Sequence, residues 1–157
     1  MALHFALCGE PRTADGDASM WVLTPAVWNR KALKDMGYRG GVLSTEDPSL
    51  DGLTPRGASD KRPVQMSPVA IRGPHNNMRI VAQKGAFVVF GQDTAGMEAQ
   101  GRRLHMPSGA LQSLVVPAGA RARLLASLEG LGVTHSVVYP DLSGLASDAR
   151  RAFGFEG

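Results

Sequence analysis

The chain has 157 residues, 43% of them hydrophobic and 20% charged, which excludes disorder throughout and suits one domain burying roughly 70% of its extended-chain surface. Its net charge of +3 arises from 17 basic and 14 acidic residues, with a pI near 9.4. The basic pairs Lys61-Arg62, Arg102-Arg103 and Arg150-Arg151 are dispersed along the chain, a pattern of solvated surface that permits weak contact with nucleic acid or other anions.

The single cysteine, Cys8, excludes an internal disulfide; its apolar surroundings from Ala2 to Leu7 favour a buried structural thiol over a nucleophile. The opening "MALHFALCGEPR" lacks a basic segment and is too short for a signal peptide. No stretch approaches the about 18 apolar residues of a membrane span. The expectation is a cytoplasmic, bacterial-type protein without a membrane partner.

In chain order, residues 2–8 read as the end of a short helix, with Leu3, Phe5, Ala6 and Leu7 apolar. The turn-rich "GEPRTADGDAS" leads to a strand from Met20 to Leu23. Thr24-Pro25 then supplies a helix cap and a proline at the first helical position, and Val27, Ala32, Leu33 and Met36 recur at helical spacing before Gly37. Residues 43–64 contain Pro48, Gly52, Pro55, Gly57 and Pro63 and are expected to form a surface loop, long enough to be functional or mobile.

Asn76 or Asn77 can cap a short helix to about Gln83, Gly85 can stop it, and "AFVVF" reads as a strand. "LQSLVVP" (111–117) is a further strand ended by Pro117, and Leu124, Leu125, Leu128 and Leu131 form one helical stripe in residues 118–131. "THSVVYP" is β-branched and reads as a strand. In the tail, Leu142, Leu145, Ala146, Ala149 and Phe153 repeat as an amphipathic helix with Asp141 as its cap. The expected fold is a single α+β (mixed α/β) domain over 1–157, a small sheet with flanking helices and a C-terminal strand-helix-strand-helix unit.

Three stretches carry a family likeness. "MRIVAQKGAFVVFG" (78–91) resembles the pattern Arg-Ile-x-x-Gln-x-Gly-x-Phe found late in FRG domains. "LQSLVVPAGARARLLASLEGLGVTHSVVYPDLSGLA" is similar to that family's closing block, and "ALHFAL" followed by "MWVLTP" and Asn29 to its middle section. The likeness spans nearly the whole chain and is loosest over 37–64. The family's Phe/Tyr-Arg-Gly tripeptide and its Gln-His-x-Gly-x-Pro-Thr-Arg-Leu-Leu-Asp-Trp block are absent, and "IRG" at Ile71–Gly73 lies on the wrong side of the 2–7 helix to replace the first. The resemblance thus implies the later part of such a domain, with strands at 20–23 and 86–90 whose edges would be open to a protein partner or a homodimer.

The order of parts in FRG domains also resembles the ADP-ribosyltransferase fold, which implies NAD or another nucleotide as ligand. Under that resemblance Gln83 stands where a ribose-binding Glu would be, able to bond a sugar hydroxyl but not to act as a general base. Arg79 would contact phosphate. The competing structural readings are that Gln83 ties its helix to neighbouring backbone and that Arg79 is a surface residue on a half-buried helix. His4, His75, His105 and His135 show no metal-ligand spacing; a Cys8–His nucleophilic pair has no support from spacing; and Gly37, Gly40 and Gly41 lack phosphate-loop spacing. Two functions remain open: part of an NAD- or nucleotide-handling enzyme that needs a further N-terminal segment, and a non-enzymatic module, phage- or defence-related, that contacts nucleic acid or protein.

Overall fold

The computed structural model describes residues 1–9, 16–53, 65–73, 76, 80–81 and 86–155, and they form a mixed α+β fold of small sheets flanked by helices. The chain divides into two compact units, the first within Met1–Trp21, His75–Lys84 and Ser113–Gly157, the second within Val22–Pro74 and Gly85–Gln112. Two sheets of two strands each are present among the described residues: β1 (Ala18–Leu23) with β4 (Leu111–Val116), and β2 (Val69–Arg72) with β3 (Ala86–Val89). Trp21, Val22, Phe87, Val88, Leu114 and Val115 on these strands are all exposed. No helix among the described residues is long and apolar enough to cross a membrane.

The second unit holds the main apolar core. Helix α2 (Pro25–Ala32) starts with Pro25 at its first position after Thr24; the Thr24 hydroxyl, however, donates to the Gly109 carbonyl at 3.1 Å and does not cap its own helix. The helix ends at Ala32, a 3₁₀ turn follows over Lys34–Met36, and Gly37 (φ 68°) reverses the chain in the left-handed region. Leu33, Leu43 and Val69 form the cluster onto which Tyr38, Leu50, Leu53 and Ile71 pack. Leu43, expected to open a surface loop, is instead 0% exposed and makes a parallel bridge to Ile71, because β2 needs a backbone partner on the edge away from β3. Pro48–Leu53 is a 3₁₀ helix; residues 54–64 of that expected loop lie outside the described residues.

β2 and β3 are antiparallel, with Val69 opposite Val89 and Arg72 opposite Ala86. After β3 the chain passes close to residues 65–66: Gln92 N donates to Gln65 O at 3.1 Å and Asp93 N to Met66 O at 3.0 Å. A side chain at Gly91 would meet the Gln65 carbonyl oxygen at 2.3 Å, so only glycine fits there. Helix α3 (Met97–Arg103) then buries Gln100, whose Nε2 donates to the carbonyls of Asp93 (2.8 Å) and Ala95 (2.9 Å).

The first unit is mostly helical: α1 (Ala2–Cys8), α4 (Arg121–Gly130), α5 (His135–Val138) and α6 (Leu142–Ala152). Arg121 ties α4 to the end of α1 by donating to Leu7 O and Gly9 O, both at 2.6 Å, satisfying carbonyls that a helix end leaves unpaired. The "THSVVYP" segment expected as a strand instead holds the helix α5 (His135–Val138). Thr134 is its N-cap residue, and Asp148 of α6 accepts from Ser136 N at 2.9 Å; this cap, supplied from another element, outweighs the β-preference of Val137 and Val138. On α6 the expected Asp141 cap is present, accepting from Gly144 N at 2.8 Å. Its apolar stripe faces outward: Leu142 is 85%, Leu145 60% and Phe153 76% exposed. The opposite face is seated on α5 through Gly144, where an added Cβ would lie 2.1 Å from Tyr139 O.

Candidate functional site

In the second unit a cavity of about 340 Å³ opens where the end of α2 faces residues 65–67 and the end of α3, a volume in the range of small-ligand sites. Leu33, Met36, Met66 and Leu104 give it an apolar floor, and Lys31, Asp35, Gln65 and Ser67 supply its polar groups.

Each polar group is fixed by a distinct device. Lys31 and Asp35 are four residues apart, the spacing of a helical ion pair, but α2 stops at Ala32 and no ion pair joins them. Gln65 is 8% exposed, and its Nε2 donates to Ser67 O at 2.9 Å and Ala32 O at 3.4 Å. That anchoring leaves Gln65 Oε1 without a donor among the described residues. Ser67 is 6% exposed and its hydroxyl accepts from Arg103 Nη2 at 3.5 Å. Arg103 is itself held by Asp93 and by Gln100 Oε1. The Ala95 amide, and then the Arg103 guanidinium, keep the Asp93 carboxyl below its ordinary range, so Asp93 is charged at neutral pH and holds Arg103 in place.

The frame under the cavity is built from buried polar groups. Trp28 Nε1 donates to Pro68 O at 2.8 Å. The Asn29 carboxamide pairs with both backbone groups of Ala70, Nδ2 donating to its carbonyl and Oδ1 accepting from its amide, each at 2.8 Å. Asn29 also donates to Gly41 O at 3.1 Å. Residues 67–70 are thereby locked onto α2, which sets the distance from Ser67 to Lys31.

Gln83 and Arg79, the residues singled out for cofactor contact, lie outside the described residues, although Ile80 and Val81 between them are helical. His4 and Cys8 are brought together on α1, with Cys8 Sγ 3.7 Å from Nδ1 and 3.6 Å from Nε2 of His4. Cys8 is exposed, which corrects the expectation of a buried thiol: it shares a face with the buried His4 one turn earlier, but it is the last residue of α1. The near-equal distances show that the sulfur is in line with neither nitrogen, a packing contact rather than an activated nucleophile. Burial, and then the neighbouring His135, lower the His4 pKa, so His4 is neutral at pH 7. His135 Nδ1 is buried without a hydrogen-bond partner among the described residues, and its ring lies 4.8 Å from that of Tyr139. No group of three or more His, Cys, Asp or Glu residues able to hold a metal occurs among the described residues.

Sequence reasoning missed the cavity because its polar residues are drawn from two stretches far apart in the chain, Lys31–Asp35 and Gln65–Ser67. The one legible signal was the Lys31/Asp35 spacing at the end of a predicted helix. No protein-family model matches the chain, and comparison with curated proteins and with solved structures likewise gives no match.

Proposed function

We propose that the chain is a ligand-binding part of an FRG-type domain, taking a small molecule with an anionic or hydroxylated end and a flat or apolar body. Nucleosides, nucleoside monophosphates and fragments of NAD are the first ligands to test. The observation that carries this reading is the meeting of Lys31, Gln65 and Ser67 over an apolar floor in one cavity. A carboxamide oxygen can accept from a ribose or base donor, a serine hydroxyl can serve either role, and an ammonium can meet a phosphate.

The test is titration of the protein with AMP, nicotinamide mononucleotide and NAD, followed by calorimetry and by chemical shifts of the Met36 and Met66 methyl groups. Lys31→Ala is expected to weaken a phosphate-bearing ligand about ten-fold while leaving the corresponding nucleoside unaffected, one lost charge-assisted bond being worth about 1.5 kcal/mol. Unshifted methionine signals at millimolar concentrations of all three ligands would remove the proposal.

A further inference from the structure

We propose that Gln65 and Ser67 are the specificity-determining pair of the cavity at the end of α2, selecting a flat ligand whose edge carries an N–H donor beside a hydrogen-bond acceptor. The inference rests on the ligand-binding reading of that cavity and names what it selects.

Gln65 is pinned at both backbone groups and at its side-chain nitrogen. Its amide donates to Gly52 O at 3.1 Å, and its carbonyl accepts from Gln92 N at 3.1 Å. Its Nε2 faces the carbonyls of Ser67 and Ala32. Two carbonyl oxygens at one end of the carboxamide fix that end as nitrogen, since oxygen there would meet oxygen. The remaining atom, Oε1, acts only as an acceptor, and it belongs to a cavity-lining residue that is 8% exposed. Held on a fixed backbone and a fixed side chain, it loses almost no conformational freedom when a ligand donor meets it.

Ser67 supplies the complement. Its hydroxyl oxygen accepts from Arg103 Nη2, and among the described residues no acceptor takes its proton, which is free for a ligand acceptor. The bond from Gln65 Nε2 to Ser67 O keeps the two residues side by side. One acceptor and one donor together match a primary carboxamide, or the amino group and neighbouring ring nitrogen of adenine. A carboxylate, which only accepts, would set oxygen against Oε1 and be rejected. Burial sets the ligand's direction: Lys31 is exposed whereas Gln65 and Ser67 are buried. An anionic end therefore stays toward solvent at Lys31, and the neutral edge is read inside.

Two matched pairs test this by calorimetry, each differing in one N–H donor at constant charge: AMP against purine riboside monophosphate, and nicotinamide mononucleotide against its methyl-ketone analogue. The donor-bearing member is expected to bind about ten-fold more tightly, the worth of one well-placed hydrogen bond. In Gln65→Met, which keeps the length of the side chain without its acceptor, that ratio is expected to fall to about one, a change that a merely structural loss would not produce. Should this variant fail to fold, the native ratio is read beside Ser67→Ala, which is expected to weaken both members of a pair alike because both keep the acceptor. Equal affinities within every pair that binds overturn the specificity inference and leave the ligand-binding reading standing. Absence of binding by all four nucleotides removes both.

Discussion

Replacing Asn29 by alanine removes the bracket between α2 and β2, and its cost can be worked from the bonds it makes. Asn29 is 0% exposed and makes three hydrogen bonds, two to Ala70 and one to Gly41. In Asn29→Ala the Ala70 carbonyl still accepts from Leu43 N at 3.3 Å, but the buried Ala70 amide loses its acceptor. An orphaned buried donor costs about 1–3 kcal/mol, and the two other lost bonds about 0.5–1.5 kcal/mol each, so the total is roughly 2–6 kcal/mol. Against a typical stability of about 5–15 kcal/mol this is a severe loss. Asn29→Asp sharpens the test. A carboxylate can still accept from Ala70 N but cannot donate, and it would face two carbonyl oxygens that now sit about 3 Å from a Asn29 donor. Its folded-state pKa would rise, so the deficit relative to the native chain is largest at neutral pH and narrows as pH falls and the group protonates. Urea unfolding followed by tryptophan fluorescence reads both variants, since Trp28 adjoins the site. Asn29→Ala within about 0.5 kcal/mol of native, or Asn29→Asp equal to native at neutral pH, would refute the reasoning.

Gly144→Ala is expected to destabilise the first unit by about 1–3 kcal/mol, because the new methyl collides with the fixed Tyr139 carbonyl and overpacking exceeds the gain in helix propensity; thermal unfolding showing equal or greater stability would contradict the seating of α6 on α5. Asp148 gives a pH signature. The Ser136 hydroxyl and amide, with Thr134, lower its pKa from 3.8 to about 2, so its contribution is complete above the unfolded value of 3.8 and is lost as pH falls toward 2. Acid titrations of the native chain and Asp148→Asn should therefore differ most above pH 3.8 and converge near pH 2; parallel curves would show that the carboxylate does not cap α5.

Local chemistry was read directly wherever a segment's own residues decide its conformation. Thr24-Pro25 starts α2, Gly37 reverses the chain, Pro117 ends β4, and Asp141 caps α6. Asn29 stood out in the family likeness, but its three-way bracket was not readable, because its partners Gly41 and Ala70 lie 12 and 41 residues away. The cavity was hidden for the same reason.

What the sequence by itself determined is the succession of elements, an α+β composition, and a C-terminal helix with one apolar side, since these follow from backbone propensity and side-chain periodicity. What only the tertiary structure decided is which way those sides point and which borderline segments change type. "THSVV" is a helix because Asp148 reaches its amino end. Leu43 is core because β2 has an edge to fill. The apolar stripe of α6 faces water because Gly144, Asp148 and Arg151 hold the other side. Periodicity states that a helix has two faces; contacts between residues far apart in the chain choose which one is buried.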